Sequence, residues 1–129
     1  MREIKFRGQR EDNGEWVYGY YQSMSDNEKE YWLINDALGD IHDVAPETVG
    51  QYTGLKDKNG KEIYEGDVVK VVIYGKEDCG AVRYSEMNAT YYLSLEERSD
   101  SELWLAAQIE IIGNIHENAE LLEATNETL

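Results

Sequence analysis

GLKDKNGKEIYEGDVVKVV, residues 54–72, decides how the rest of the chain is read. Asn59-Gly60 lies between Leu55 and the apolar pair Ile63-Tyr64, and both residues tolerate the positive φ that a type I′ two-residue hairpin turn requires. Lys58 and Lys61 flank this turn and are expected in solvent. Glu65-Gly66-Asp67 then gives a second turn, with Gly66 free to adopt positive φ and Asp67 placed to bind neighbouring backbone N–H groups. The run 68–74 that follows is β-branched and nearly continuous, too short for a comfortable helix. Bounded by turns, it reads as a strand buried on both faces. By analogy, a Gly-Asp turn before a valine-rich strand opens many small SH3-like barrels.

Outward from this stretch, strand signals outnumber helix signals, with turns every 8–12 residues or about that, which predicts a mostly β fold. Ile4-Lys5-Phe6-Arg7 alternates apolar and basic. Asn13-Gly14 is another hairpin signal, and residues 16–21 are the returning strand, with Gly19 marking a bulge. Residues 31–34 and 41–44 form two strands joined by a turn at Gly39, and Pro46-Glu47-Thr48 makes one helical turn. Beyond Tyr74, residues 75–78 read as a turn. Residues 80–84, 89–95, 103–105 and 109–113 read as strands, and Asn118 as the cap of a short helix over 119–124. The expected organisation is a single domain. An N-terminal β-hairpin and meander subdomain (1–52) precedes a C-terminal small SH3-like barrel with a terminal helix (53–129). Val68, Val71, Ile73, Val82, Trp104 and Ile111 are the expected barrel core.

Thr53–Val71 also resembles the signature of the YopX family, found mostly in phages and prophages. Ile4-Lys5-Phe6-Arg7 is similar to that family's opening strand, residues 46–52 (PETVGQY) to its middle, and residues 112–122 (IGNIHENAELL) to its close. The sequence departs at Ala119, where the family pattern has proline, which bears on the start of the last helix. The resemblance implies an SH3-like barrel in the C-terminal part, and it makes the cytoplasm expected from the single cysteine that of a bacterial host. It implies no established activity, so no residue inherits a role.

The 129 residues suffice for one core, burying about two-thirds of the unfolded surface. One cysteine, Cys79, excludes an internal disulfide and fits a reducing compartment. No apolar run approaches a membrane span, so no membrane association is expected. With 12 basic and 27 acidic residues the net charge is −15, which repels phosphate backbones and argues against nucleic acid as partner. It does not argue against a basic partner.

No constellation carries catalysis, and the chain is expected not to be an enzyme and to hold no cofactor or metal. His42 and His116 lack metal-ligand spacing. Asp57-Lys58-Asn59-Gly60 resembles half of a calcium loop, but neither register supplies both the glycine and the twelfth-position acid. Glu65 and Asp67 are read as turn residues, and an enzyme of scattered acids has no motif behind it. Ten tyrosines and three tryptophans are the unusual feature. Tyrosine suits interfaces and small β cores alike. Phe6, Trp16 and Trp104 are assigned to the core, whereas Tyr18, Tyr20, Tyr21, Tyr91 and Tyr92 are left open. The favoured reading is a non-enzymatic accessory protein that binds another protein or itself. A nucleic-acid-associated barrel with Arg2, Lys5, Arg7 and Arg10 as its footprint is the alternative. A third reading takes the late acids, above all Glu117, Glu120 and Glu123, as a face that engages and occludes a basic, nucleic-acid-binding host protein.

Overall fold

A computed structural model of the chain describes residues 3–95, 101–102 and 107–117. The fold is mainly β, with antiparallel pairing throughout the described strands. It divides into two units, Met1–Gly54 and Leu55–Leu129, where the sequence placed the boundary at 52/53.

In the first unit the strands β1 (Phe6–Gln9), β2 (Trp16–Ser25), β3 (Glu30–Asn35), β4 (Ile41–Asp43) and β5 (Gly50–Lys56) lie in the order β4-β3-β2-β1-β5. Pro46–Thr48 is one turn of 3₁₀ helix, with the proline at its start where its missing N–H is harmless. Thr48 Oγ1 accepts the Gln9 N–H (2.9 Å) and donates to the Ala45 carbonyl (2.6 Å), tying this turn to β1. Ile34 and Val44 are fully buried, and Gly8 lets them approach: a Cβ there would lie 3.1 Å from Val44 Cβ.

The turns share one device. Asp36 opens Asp-Ala-Leu-Gly-Asp, and its Oδ1 accepts the N–H groups of Leu38 (2.9 Å) and Asp40 (3.0 Å). Asp57 opens Asp-Lys-Asn-Gly-Lys, and its Oδ1 accepts those of Asn59 and Lys61, both at 2.9 Å. In each case the Asp backbone carbonyl accepts the glycine N–H at 3.0 Å, and the glycine takes positive φ. The hairpin at Asn59-Gly60 is therefore present, but it is not type I′. Asn59 keeps negative φ and Gly60 (φ +83°) follows a type I-like turn, because the Asp57 carboxylate holds the two amides from inside.

The second unit contains that hairpin, completed by β6 (Glu62–Tyr64). It also has a five-stranded sheet of β7 (Asp67–Ile73), β8 (Lys76–Ser85), β9 (Thr90–Leu95), β10 (Ser101–Glu102) and β11 (Ala107–Asn114), ordered β10-β9-β8-β7-β11. Among the described residues β10 and β11 do not pair, and the sheet is not a closed barrel, contrary to the expectation. Irregular pairing between β7 and β11, with register shifts at 107/110 and 111/113, marks where that edge bends. The expected terminal helix and Trp104 lie outside the described residues.

Alternation along β7 sends Val69, Val71 and Ile73 to a cluster with Ile63, Val82 and Leu93, against which Ile109 and Ile111 are partly buried. Burial of each such side chain is worth about 1.5–3 kcal/mol. Val68 is equally buried but points to the other face, and Lys70 on that face is exposed, so the valine run is two-sided only at its start. Residues 75–78, read as a turn, are mostly strand. The β7–β8 link is the two-residue turn Tyr74-Gly75, with φ of +51° and +79°, so the type I′ geometry falls here.

Candidate functional site

Strand β2 changes partner in its middle. Trp16–Gly19 pair with β1, ending at Phe6↔Gly19, and Tyr20–Ser25 pair with β3, beginning at Tyr20↔Asn35. Both registers run without a shift, so Gly19 does not mark a bulge. It marks a close approach: a Cβ at Gly19 would stand 1.9 Å from the Asn35 carbonyl oxygen.

Period-2 alternation then sorts the aromatic residues the sequence left open. Tyr21 turns to the face of Phe6, with ring centroids 5.7 Å apart. Tyr18 and Tyr20 turn to the other face, 45% and 72% exposed. Over them opens a cleft of about 620 Å³. One wall is the segment before β1, with Ile4 and Lys5; the floor is Tyr18-Gly19-Tyr20; the far wall is Asn35, Asp36 and Ala37. Asn35 Oδ1 is buried there without a hydrogen-bond partner. In the far wall Asp36 Oδ2 meets His42 Nε2 at 2.8 Å. The His42 bond, aided by two backbone N–H bonds and opposed by burial, holds the Asp36 carboxyl below the usual range. The sequence showed only that His42 lacks metal-ligand spacing and gave no sign of this pair. With Asp36 Oδ1 holding the Leu38 and Asp40 N–H groups, the pair ties His42 on β4 to the β3–β4 turn.

Elsewhere the aromatic assignments shift. Among the described residues Tyr52 and Tyr64 are the buried rings, whereas Phe6 and Trp16 are only half-buried. Tyr84 and Tyr91, directly opposite on β8 and β9, meet edge to face at 5.1 Å, and Tyr92 is half-buried opposite Arg83.

Of the carboxylates considered for chemistry, Asp57 and Asp67 serve the backbone. Asp67 is buried and accepts the Tyr64 N–H at 2.8 Å. Glu65, half-buried, has its carboxyl pushed up by burial against the pull of Arg83. Asp57 spends its oxygens on three N–H donors, which is the wrong use for a calcium ligand, and no cluster of three His, Cys, Asp or Glu among the described residues could hold a metal. Of the basic footprint, Lys5 lies 3.3 Å from Glu3 and over the Tyr52 ring. Arg7 is buried over Trp16 and Arg10 sits 2.6 Å from Asp12, while Arg2 is outside the described residues. Of the late acids, Glu117 is exposed in a turn where Asn114 Oδ1 accepts its N–H at 2.9 Å; Glu120 and Glu123 lie outside the described residues. No helix among the described residues is long and apolar enough to cross a membrane.

The family model of the YopX protein matches residues 5–123. The chain belongs to the YopX family. A crystal structure of an Enterococcus faecalis protein is similar over 95% of this chain and 99% of its own, at 22% identity and a TM-score of 0.55. That likeness shows the fold alone. No curated protein matches the chain. YopX membership assigns no residue a role, so the cleft stands on its geometry.

Proposed function

We propose that this YopX-family chain is a non-enzymatic phage or prophage accessory protein of the bacterial cytoplasm that acts by binding protein, a foreign chain or its own copy. The observation that carries this is the cleft floored by Tyr18 and Tyr20 in a protein of net charge −15. Exposed tyrosines bring large, stiff contact area at small entropic cost, and such anchors dominate protein interfaces. The strand order of the second unit, a four-strand meander whose fifth strand returns to the first, supports an SH3-like relationship there. The engaged states of Lys5, Arg7 and Arg10 weigh against a nucleic-acid footprint. The test is capture of partners by the tagged chain in phage-infected host cells, beside the Tyr18→Ser/Tyr20→Ser variant. Binding that survives unchanged in a folded double variant would overturn the cleft as the binding site.

The net charge favours one further reading, in which Glu117, Glu120 and Glu123 dock a basic host surface and occlude it. Association would then slow as salt rises, since exposed charges are screened beyond about 8–10 Å. Equal salt dependence in the wild type and in the triple glutamine variant would remove these three residues from the interface.

A further inference from the structure

Strand β2 outruns its neighbour β1. The four residues of β1 pair with it only as far as Phe6↔Gly19, while β2 runs on to Ser25 against β3. The Arg10 N–H donates to the Glu15 carbonyl and the Asp26 N–H to the Lys29 carbonyl, which sets the bonding alternation in the two hairpins. By that alternation Tyr20, Gln22 and Met24 bond to β3. Tyr21, Ser23 and Ser25 aim their N–H and C=O groups the other way, along the line of β1 before its start. Among the described residues no strand occupies that line, and the Lys5 carbonyl accepts the Tyr52 N–H instead. Proteins ordinarily blunt a strand edge with charge, proline, a bulge or shortness. β4 and β10 are short, with three and two residues, and β11 is bulged. The edge Tyr21-Gln22-Ser23-Met24-Ser25 has none of these devices: it is uncharged, lacks proline and pairs with β3 without a shift. Residues 22–25 are exposed.

We infer that an extended, basic segment of another protein adds to β2 along Tyr21–Ser25 as an antiparallel strand in line with β1. The inference rests on the protein-binding reading above and names the chemistry of the partner. The edge supplies the backbone hydrogen bonds, and the flanking side chains select the sequence. Register puts Ser23 with Trp32 and Ser25 with Glu30 on one face, and these four residues with Met24 line a hollow of about 200 Å³. A partner residue opposite Ser23 shares that face. The serines are small, so a long side chain passes over them to Trp32, two strand spacings or about 10 Å away. A lysine or arginine then sets its cation against the Glu30 carboxylate and the Trp32 ring. Among the described residues Glu30 forms no ion pair that would compete. On the opposite face Tyr20 and Met24 are 72% and 54% exposed, so the residues flanking the cation are apolar. The net charge of −15 draws a basic segment in and opposes pairing with the same edge of a second copy.

The test is titration of the full chain with a short synthetic peptide alternating valine and lysine, followed through backbone amide signals and hydrogen exchange. The amides of Tyr21, Ser23 and Ser25 should shift and gain protection. N-methylation of the peptide amides that face β2 keeps every side chain and should weaken binding at least about tenfold. Ser23→Pro removes one outward N–H, spares the β3 ladder and should lose the peptide to the same degree. Glu30→Gln should weaken binding about two- to fivefold. A peptide alternating valine and glutamate should not bind. Binding that survives N-methylation, or protection confined to other residues, overturns the strand addition. Equal binding of the lysine and glutamate peptides overturns the basic partner. Failure of both peptides to bind overturns the inference outright, and the protein-binding reading then rests on the Tyr18→Ser/Tyr20→Ser capture experiment alone.

Discussion

Asp57 Oδ2 accepts the backbone N–H of Ile111 at 3.1 Å, joining residues 54 positions apart. One carboxylate thus closes the first hairpin of the second unit and fixes the last described strand to it. Lys58 reinforces the same junction: its N–H donates to the Ile109 carbonyl at 2.8 Å and its ammonium meets Glu110 at 2.6 Å. Asp57→Asn keeps an oxygen for Asn59 and Lys61 but ends the charge-assisted bond to Ile111. It should cost about 1.5–3 kcal/mol. Urea denaturation gives the magnitude, and faster amide exchange at Ile111 identifies the bond.

The same carboxylate makes stability depend on pH. Burial raises its pKa, but bonds from Ile111, Lys61 and Asn59 outweigh that, and the net shift is downward. A folded pKa below the unfolded value of about 3.9 means the unfolded chain binds the proton more tightly. The contribution is therefore complete above the unfolded pKa and is lost as pH falls through the folded one. Wild type should lose more stability than Asp57→Asn between pH 5 and pH 2, or about that range, in parallel denaturation curves.

Tyr74→Asn should stabilise the fold by about 1 kcal/mol, since asparagine tolerates positive φ where tyrosine is strained. Thermal denaturation measures this. A variant less stable than wild type would mean the Tyr74 side chain supports the fold.

Much of the fold was legible because turn chemistry is local. Gly39 and Gly60 mark their turns, Pro46 marks the 3₁₀ turn, and the valines of β7 mark a buried strand. Tyr74-Gly75 was illegible as a turn because tyrosine carries no preference for positive φ. The polar residues after it, Lys76 and Glu77, are exposed positions on a strand whose register is set by β7. Tyr52 and Tyr64 could not be told from Tyr20 by composition, since the same side chain serves a core and a surface. The cleft was hidden for a further reason. Residues 4–5, 18–20 and 35–37 meet only because β2 changes partner at Gly19.

Gly19 and Gly80 sit inside strands where a neighbouring backbone approaches closely. Gly19→Ala would place a methyl 1.9 Å from the Asn35 carbonyl oxygen, and Gly80→Ala one 2.2 Å from that of Ser94. Both neighbours are backbone and can yield only if strands part, so each change should cost at least about 1–3 kcal/mol. Gly14→Ala, with nothing within 4 Å but φ of +73°, should cost less. Equal losses in chemical denaturation for the three variants would contradict this distinction.

The claim that this protein works by binding protein at the Tyr18–Tyr20 cleft is tested most directly by amide hydrogen exchange along the whole chain. The exchange should be followed for the chain alone at low concentration, at high concentration, and with any captured partner. The account predicts added protection at residues 4–5, 18–20 and 35–37 in at least one bound condition. Protection that appears only elsewhere, with the cleft exchanging as in the isolated chain, would contradict it.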